Sequence, residues 1–334
     1  MTRRLRFSHL PTPLENYPAL DRMLGAEIWV KRDDVTAGAE AGNKIRKLEF
    51  LLGEAVDRRA RAVITCGGIQ SNHARATALL AARLGLSCTL LLRAGPEERA
   101  APPEGNLLLD RLANARVRFI GAHEYSERDH SMLALAAELA RAGTPAYVIP
   151  EGGSNGLGAL GYFEAMAEVR RQLDLGLAGD PPCFDAVAVA CGSGGTAAGL
   201  ALGALHWRVA DRVLAFAVCD DRKSFELRIE AIVREGGQLL ARAGHLPAPA
   251  CPVDVFDEHK GPRYGVMNDE QLDFLVEVAQ KTGLVLDPVY SGKALFGLAR
   301  LEAKPPRVLF IHTGGLPGLL AQHAVLARRL TASV

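Results

Sequence analysis

The chain has 334 residues, with 39 lysines and arginines against 38 aspartates and glutamates. This balance leaves no basic field that would attract nucleic acid or an anionic membrane, so small neutral or zwitterionic molecules fit better as partners. The chain is longer than one ordinary hydrophobic core requires, and its length suits two α/β domains.

The cysteines and the amino terminus restrict the class of protein further. The six cysteines form no CxxC pair and lie near no HxxxH pattern, which argues against a zinc site and a disulfide framework. The basic segment MTRRLRFSHLPTP is not followed by an apolar stretch, and no run is long enough to span a bilayer. We therefore expect a soluble cytoplasmic protein with reduced thiols, no metal, and no nucleic-acid or membrane partner.

Short apolar runs alternate along the chain with helical patterns such as SNHARATALLAARLG and GALGYFEAMAEVRRQL. This alternation predicts the α/β class, with a parallel sheet covered by helices on both faces. Two clusters of such units, before and after about Asn155, predict two layered domains with a cleft between them. The predicted strands are residues 62–66, 88–92, 117–120, 146–149, 186–191, 214–218 and 308–311.

The first chemical signal in chain order is GNKIRKLEFLL, residues 42–52. It places Lys44 at the start of a helix and Lys47 one turn later. A neighbouring cation and the helix N-terminus both disfavour the ammonium form, and a lysine prepared in this way can form a Schiff base. The alternative is an amphipathic helix whose lysines are solvated.

The second signal is TCGGIQSNHARA, in which a predicted strand ends at Cys66 and glycines follow. Ser71 or Asn72 is placed to cap the next helix. The exposed N–H groups of such a turn accept a carboxylate. An ordinary strand-to-helix turn is the alternative.

The third signal is ACGSGGTAAG, residues 190–199, where a strand again runs into a glycine-rich turn and a small-residue helix. Its N–H groups and hydroxyls suit a phosphate. A dinucleotide is the rival ligand, with Asp220 or Asp221 on a ribose hydroxyl, although Ala197 stands where GxGxxG has its third glycine. The turn residues with this predicted role are Gly192, Ser193, Gly194, Gly195 and Thr196.

Three later segments complete the candidate cleft. Tyr264 and Tyr290 lie in glycine-flanked loops, where phenols are more often functional than within a strand, although either ring can serve packing alone. HTGG follows the last predicted strand and precedes a helix, so this turn is predicted to face the same cleft or to be an ordinary connection.

Taken in order, GNKIRKLEFLL, GGIQSNH, IPEGGSNGLGALGY, GSGGTAAG, YGVMN, DPVYSGK and FIHTGG resemble the D-cysteine desulfhydrase and ACC deaminase family of pyridoxal-phosphate enzymes. The resemblance implies the tryptophan synthase β-like fold (fold type II), with pyridoxal 5'-phosphate in the interdomain cleft. It also implies a large domain of residues 1–47 and 156–334, an inserted small domain of residues 48–155, and a homodimer.

The resemblance assigns roles to the cofactor-facing residues. Lys44 would hold pyridoxal phosphate covalently, while Lys47 and the glycine turn of residues 192–196 would cradle its phosphate. Asn72 would lie near the phenolic oxygen of the cofactor. Ser291 would be the partner of its pyridine nitrogen.

The resemblance also assigns the substrate side of the cleft. Ser71 would contact the substrate or attack it, and the amides around Ser71, Asn72 and His73 would hold the substrate carboxylate. Tyr264 and Tyr290 match the two active-site tyrosines of the family. A small amino acid is thus the expected ligand.

Ser291 bears on the reaction. The ACC deaminases that the chain resembles carry glutamate in a YEGK motif, whereas desulfhydrases carry a hydroxyl residue there, and this chain reads YSGK. An uncharged partner gives a weaker electron sink, which favours prompt loss of a β-leaving group. We therefore expect β-elimination, first of D-cysteine to pyruvate, ammonia and hydrogen sulfide.

Other functions stay open at this point. ACC deaminase is disfavoured by Ser291, and cysteate or 3-chloroalanine are other possible substrates of the same machinery. An NAD-dependent oxidoreductase and a non-catalytic cofactor-binding protein are alternatives from different classes. Two departures from the family pattern affect the substrate: Ala41 in place of the first glycine of GGNK is expected to alter that loop, and Glu151 to place negative charge near the cleft.

Overall fold

The computed structural model describes residues 3–245 and 249–331. These residues form ten strands in two sheets. In chain order the strands are β1 (Leu14–Asn16), β2 (Glu27–Lys31), β3 (Ala62–Gly68), β4 (Ser87–Arg93), β5 (Arg116–Ile120), β6 (Ala146–Val148), β7 (Ala186–Cys191), β8 (Val213–Ala217), β9 (Val253–Phe256) and β10 (Arg307–Ile311).

One sheet has six strands in the order β1-β2-β10-β7-β8-β9, and the other has four in the order β5-β4-β3-β6. Every pairing is parallel except that of β1 with β2. The strands of both sheets are largely buried apolar runs, as expected where helices cover both faces. The predicted α/β class and its parallel sheets are confirmed.

Helices flank both sheets and connect the strands. They are α1 (Pro18–Leu24), α2 (Lys44–Asp57), α3 (Asn72–Arg83), α4 (Pro96–Ala100), α5 (Gly105–Leu112), α6 (Ala122–Ser126), α7 (Arg128–Arg141), α8 (Gly156–Asp174), α9 (Gly195–Ala204), α10 (Arg222–Arg242), α11 (Asp269–Thr282), α12 (Ser291–Ala299), α13 (Leu316–Leu320) and α14 (His323–Thr331). Within the described ranges, none of them has the length and apolar character needed to cross a bilayer.

All seven predicted strands are present, and three further strands were missed. The missed strands are β1, β2 and β9. Their sequences, LEN, EIWVK and VDVF, are short and interrupted by charged residues, among them the buried Lys31, so no continuous apolar run marks them. Apolar periodicity detects buried strands better than short or edge strands.

The strands β3 to β6 form the four-stranded sheet, and the remaining strands form the six-stranded sheet. The division into residues 1–47 with 156–334 and an inserted unit of 48–155 is therefore compatible with the sheet order, and it stays a proposal. Helix α2 crosses the proposed boundary, because it runs from Lys44 to Asp57.

Helices α2, α8 and α9 approach each other backbone to backbone at glycines. A Cβ at Gly161 of α8 would lie 2.4 Å from the carbonyl oxygen of Arg46, and a Cβ at Gly199 of α9 would lie 2.2 Å from that of Ala159. Only glycine permits contacts this close without displacement of a backbone. These contacts set the start of α2 beside the start of α9.

A buried ionic network fixes the same end of α2. Arg46 Nε lies 2.8 Å from Asp33 Oδ2 and Arg46 Nη1 lies 2.9 Å from Glu168 Oε2, while Lys31 Nζ lies 2.6 Å from Glu168 Oε1. The Tyr162 hydroxyl donates to Asp33 Oδ2 over 2.6 Å. Burial alone raises the pKa of Glu168, but the hydrogen bonds and charges of Arg46 and Lys31 lower it to about 2. The network thus holds the buried carboxylate of Glu168 in its ionised form.

Candidate active site

The predicted turns meet at the carboxyl ends of the parallel strands, where open α/β sheets bind ligands. A cleft of about 960 Å³ is lined there by Lys44, Ser71, His73, Tyr264 and Tyr290. A smaller cavity adjoins it, because Lys44, Gly192, Ser193 and Tyr290 line both. The structure therefore brings the lysine, the glycine turn and the two tyrosines to one place.

Lys44 is the first residue of α2, as the sequence predicted, and its side chain lies in the interior with its Nζ 5.9 Å from the centre of the Tyr290 ring. Burial lowers the pKa of Lys44 to about 8, while Cys191 and Glu151 act weakly in the opposite direction. The pKa of Lys44 is lowered, as the sequence predicted, but the predicted cause, a neighbouring cation, is not the main one. Removal from water is what disfavours the ammonium form.

Lys47 lies at the contact between α2, α9 and the loop before α8. Its Nζ donates to Gly152 O over 2.8 Å and to Ser154 Oγ over 3.1 Å. A Cβ at Gly195 would lie 2.7 Å from this nitrogen, so the ammonium group faces the start of α9. Burial and then the charge of Lys44 lower the pKa of Lys47 well below its ordinary value, and an anion bound beside this amine would favour its ammonium form.

The glycine turn after β7 presents the N-terminus of α9 to the smaller cavity. Gly194 has φ +87°, a left-handed conformation that favours glycine, and it is the N-cap of the helix. Asn43 Nδ2 donates to Thr196 Oγ1 over 3.1 Å, and the hydroxyls of Ser193 and Ser154 lie 2.8 Å apart. Free N–H groups, hydroxyls and a nearby lysine form a cradle suited to a phosphate.

The N-terminus of α3 forms the opposite wall. Ser71 is the N-cap, and its Oγ accepts from Ala74 N over 3.2 Å, so of the two residues predicted to cap the helix it is Ser71 that does so. Asn72 lines the smaller cavity, and its Oδ1 accepts from Arg75 Nη1 over 3.3 Å and from Asn106 Nδ2 over 3.1 Å. The side-chain N–H groups of Asn72 are therefore left for a ligand.

His73 is buried behind this helix start. Thr65 Oγ1 donates to Ile149 O over 2.8 Å, so it accepts from His73 Nε2, which lies 2.9 Å away. Burial, followed by the charges of Lys44 and Lys47, lowers the pKa of His73 well below its ordinary value. The ring is thus neutral with its proton on Nε2, and its contribution to an anion site comes from the backbone.

Tyr264 and Tyr290 form a hydrogen-bonded pair in the cleft. Their hydroxyl oxygens lie 2.6 Å apart and their rings meet edge to face. Close approach of the rings depends on glycines, since a Cβ at Gly68 would lie 3.0 Å from Tyr264 Cε1 and a Cβ at Gly192 would lie 3.0 Å from Tyr290 Cε1. Burial raises the pKa of both phenols, so they remain protonated and can donate a proton.

Lys293, the lysine of YSGK, secures the loop that carries Tyr264. Its Nζ is buried and donates to Lys260 O over 2.6 Å and to Arg263 O over 2.9 Å. We expect Lys293→Met to lower kcat by about 10- to 100-fold, because two backbone carbonyls lose their donor and the Tyr264 loop loses its position. Steady-state kinetics with Lys304→Met as control, a surface-loop lysine outside the cleft, tests this; equal activity of both variants would contradict it.

Ser291 begins α12 and is bound to Asp287. Its Oγ donates to Asp287 Oδ1 over 2.6 Å and accepts from Asp287 N over 3.0 Å. Neither residue lines the cleft or the smaller cavity. The hydroxyl hydrogen of Ser291 is therefore committed to the carboxylate, and a lone pair of its oxygen is what remains for a further partner.

Thr313, in the HTGG turn after β10, is a functional candidate that the sequence did not single out. Its Oγ1 is buried with no hydrogen-bond partner among the described residues, and the side chain lines the smaller cavity. A buried hydroxyl without a partner indicates a ligand that supplies one. The signal in the sequence was the turn itself, which was predicted to face the cleft.

The two departures from the family pattern, Ala41 and Glu151, have different structural consequences. Gly42 takes the left-handed conformation of its loop, with φ +128°, and Ala41 is not among the residues with positive φ. The expected negative charge of Glu151 does lie at the cleft, where Arg128 Nη2 pairs with it over 3.0 Å and the Tyr125 hydroxyl donates to it.

The aspartates of the dinucleotide hypothesis have other partners. Asp221 caps α10 by accepting from Ser224 N over 2.9 Å, and Asp220 Oδ2 lies 2.7 Å from Arg228 Nη1. Neither carboxylate is presented as a free acceptor for a ribose. Nor do His, Cys, Asp and Glu side chains cluster into a metal site anywhere in residues 3–245 and 249–331.

The residues at the smaller cavity fit pyridoxal phosphate. Its aldehyde needs a lysine amine, and Lys44 provides one that is buried and has a lowered pKa. Its phosphate fits the start of α9 beside Lys47, and the polar atoms of its ring find donors or acceptors in Asn72 and Thr313, whereas Ser291 does not line this cavity. The orphaned hydroxyl of Thr313 is the observation that a ligand explains best.

Comparison with known proteins agrees with this cofactor. The model of the family described as "Pyridoxal-phosphate dependent enzyme" matches residues 5–314. A protein of Arabidopsis thaliana named "Bifunctional D-cysteine desulfhydrase/1-aminocyclopropane-1-carboxylate deaminase, mitochondrial" is 44% identical over 326 residues, covering 93% of this chain and 78% of that one. A "Putative 1-aminocyclopropane-1-carboxylate deaminase" of Thermotoga maritima is 40% identical over 321 residues, covering 96% and 98%.

Solved structures agree as well. The crystal structure of an ACC deaminase homologue superposes with a TM-score of 0.85 at 35% identity and covers 98% of this chain and 96% of its own. Maize serine racemase superposes with a TM-score of 0.62 at 17% identity, which shows the shared fold. The predicted fold type II architecture and the predicted cofactor are both confirmed, and the chain belongs to the family of pyridoxal-phosphate dependent enzymes.

Proposed function

We propose that this enzyme, a pyridoxal-phosphate dependent lyase, eliminates the β-substituent of a small amino acid, with D-cysteine as its first substrate. The products are then pyruvate, ammonia and hydrogen sulfide. One observation carries the proposal: the buried amine of Lys44, the phosphate cradle at the start of α9 and the hydrogen-bonded pair of Tyr264 and Tyr290 surround one connected space.

Each group has a chemical task in this reaction. When bound, pyridoxal phosphate supplies an electron sink for the charge that develops at the substrate α-carbon. Lys44, with a pKa of about 8, is partly uncharged at neutral pH and can take the α-proton. The N–H groups at the start of α3, around Ser71 and Asn72, bind the substrate carboxylate.

The tyrosine pair serves the leaving group. Because burial raises the pKa of both Tyr264 and Tyr290, each phenol is protonated over the working pH range. A phenol that donates to its neighbour over 2.6 Å leaves the second hydroxyl hydrogen for the departing thiolate. The short bond between them holds this donor in a fixed direction.

The environment of Ser291 supports elimination over ring opening. The only carboxylate beside it, Asp287, accepts from Val289 N, Tyr290 N, Ser291 N and Ser291 Oγ within the described chain. These hydrogen bonds partly offset the burial that raises the pKa of Asp287, and the carboxylate does not line the smaller cavity. An uncharged partner at the cofactor nitrogen favours loss of a β-substituent. ACC is the second candidate substrate, because the Arabidopsis and Thermotoga relatives carry deaminase names.

A substrate panel tests the assignment. The holoenzyme is assayed with both enantiomers of cysteine, serine and 3-chloroalanine by pyruvate formation, and with ACC by 2-oxobutanoate formation. We expect the highest kcat/KM for D-cysteine and none above background for ACC. If ACC is processed and cysteine is not, the deaminase assignment replaces this one.

The lowered pKa of Lys44 predicts how the apoenzyme takes up its cofactor. Only the uncharged amine attacks an aldehyde, so the rate should rise about tenfold between pH 7 and pH 9 and level off there. A lysine with an ordinary pKa would give a steeper rise without a plateau. Stopped-flow absorbance measures the rate, and peptide mapping after borohydride reduction identifies Lys44 rather than Lys47 as the modified residue.

Two further predictions complete the proposal. A homodimer and a cytoplasmic location are proposed for the chain. Sedimentation of the holoenzyme and fractionation of the source cells test them separately. Neither result affects the chemistry of the cleft.

A further inference from the structure

Arg75 is a buried arginine on the helix whose start carries Asn72. It lies three residues after Asn72, so the two side chains share one face of α3. The residue is 1% exposed, and it lines neither the cleft nor the smaller cavity. Burial lowers the pKa of Arg75 to about 10, and the charges of Asp110 and Glu40 act in the opposite direction. The guanidinium is therefore still protonated at neutral pH.

The guanidinium of Arg75 is held by neutral oxygens. Its Nη1 donates to Asn106 Oδ1 over 2.9 Å and to Asn72 Oδ1 over 3.3 Å, and its Nη2 donates to Ala41 O. Asp110 is close enough to act on the pKa, but neither of its carboxylate oxygens has a hydrogen-bond partner in residues 3–245 and 249–331. A charge buried among neutral acceptors is costly for folding, which indicates a task other than ion pairing.

Arginine has hydrogen-bond donors only, so it fixes which atom of a neighbouring amide faces it. Both Asn72 and Asn106 turn their Oδ1 toward Arg75. Asn106 Nδ2 in turn donates to Gln70 O over 3.0 Å and to Asn72 Oδ1 over 3.1 Å. The Nδ2 of Asn72 is left to face away from Arg75, and Asn72 lines the smaller cavity. The two amides thus form a chain of hydrogen bonds whose direction Arg75 sets.

The same guanidinium contacts the loop that precedes Lys44. Ala41, whose carbonyl oxygen accepts from Arg75 Nη2, lies three residues before Lys44. In this loop Asn43 N donates to Thr313 O over 3.1 Å, which ties it to the turn after β10. Arg75 therefore joins the start of α3 to the backbone that leads into α2.

We infer that Arg75 is a positioning residue, which directs the Nδ2 donor of Asn72 at the ring oxygen of pyridoxal phosphate and strengthens that donor. The positive charge beside Asn72 Oδ1 polarises the amide, so that its N–H groups donate more strongly. A donor of this kind stabilises an ionised oxygen. The inference concerns the cofactor and not the substrate, so it goes beyond the proposed elimination and does not depend on it.

The test compares pyridoxal phosphate with 3-deoxypyridoxal phosphate, an analogue that lacks the ring oxygen. The dissociation constants of both are measured for the full-length apoenzyme by equilibrium dialysis, and their ratio reports the contact with that oxygen. The variants are Arg75→Met, Asn72→Ala and the two changes combined. Arg83→Met is the matched control, because Arg83 is exposed at the other end of α3 and lines neither cavity.

We expect the wild type to prefer pyridoxal phosphate to the analogue, and Arg75→Met to lower this preference about tenfold through the loss of a directed, charge-assisted donor. The double variant should show the same ratio as Asn72→Ala, because Arg75 acts through that amide. Arg83→Met should behave as the wild type. Thermal unfolding establishes that each variant is folded. Arg75→Gln serves if Arg75→Met is not folded, and it should lower the ratio as well, because an uncharged amide can face Asn72 with either of its polar atoms.

Three results would overturn the inference. An unchanged ratio in folded Arg75→Met or Arg75→Gln, with both cofactors bound more weakly to the same degree, assigns Arg75 a structural role. Additive effects of Arg75→Met and Asn72→Ala show that Arg75 acts elsewhere. An unchanged ratio in Asn72→Ala removes the contact of Asn72 with the ring oxygen, and the inference with it. Whether D-cysteine yields pyruvate decides the proposed function separately.

Discussion

Replacement of Lys44 by alanine is expected to lower kcat by at least about 10³-fold and to remove the near-visible absorption of the lysine-bound cofactor. Lys44 supplies the buried amine at the start of α2, and no other lysine lines the cleft or the smaller cavity in the described chain. Lys47 cannot replace it, because its amine donates to Gly152 O and Ser154 Oγ.

Absorbance spectra, borohydride trapping and pyruvate formation measure the effect of Lys44→Ala. Lys281→Ala is the control, since Lys281 is exposed on α11 and pairs with Glu277 over 2.6 Å. Added methylamine should restore a fraction of the activity of Lys44→Ala if the missing group acts as a base. Retention of both the absorption and the turnover by Lys44→Ala would show that the covalent site lies elsewhere.

Replacement of Arg46 by methionine is expected to have the largest effect on stability. Arg46 is buried between Asp33 and Glu168 and donates to both carboxylates over 2.8 to 3.1 Å. Removing one partner of a buried ion pair leaves an uncompensated charge and costs about 3–5 kcal/mol. Lys31 still pairs with Glu168, so the charge of Asp33 is the one left without a cationic partner.

Urea unfolding of the holoenzyme measures this cost, with Arg58→Met as the control. Arg58 follows the same helix, is largely exposed and pairs with Glu54 over 2.9 Å, and such an i,i+4 pair contributes only about 0.3–0.5 kcal/mol. Equal unfolding midpoints for the two variants would contradict the importance of the network. Cofactor affinity should also fall in Arg46→Met, because Lys44 and Lys47 stand on the helix that Arg46 anchors.

The same network predicts the acid limit of stability. The pKa of Glu168 is lowered from 4.5 to about 2 in the folded protein, so its contribution is present above the unfolded pKa and is lost as the pH falls from about 4.5 towards 2. In Arg46→Met this pKa lies closer to its ordinary value. The free energy of unfolding of the variant should therefore be lower than that of the wild type at neutral pH, and it should fall less steeply across that pH range.

The buried strands and the glycine-rich turns were predictable from the sequence, because both leave a local pattern. Continuous apolar runs marked β7 and β10, and glycines after a strand marked the turn of residues 192–196. The position of Lys44 at a helix start followed from the same kind of pattern. Edge strands such as β9 lack a continuous apolar run, and they were missed.

Contacts between distant segments were not predictable in the same way. Arg46 reads as an ordinary helical arginine, yet its partners lie 13 and 122 residues away. Thr313 lies in the turn after β10, and only packing reveals that its hydroxyl has no hydrogen-bond partner among the described residues. The cause of the lowered pKa of Lys44 was also missed, since burial depends on the whole fold.

The contacts of α2, α8 and α9 at Gly161 and Gly199 bear on attempts to redesign the enzyme. A methyl group at either position would lie within 2.4 Å of a neighbouring carbonyl oxygen, so even alanine there would force two helix backbones apart. Libraries that aim at a new substrate range should leave these two glycines unchanged. They should vary instead the rim formed by the ends of β4 and the loop of Tyr264, where side chains face open space.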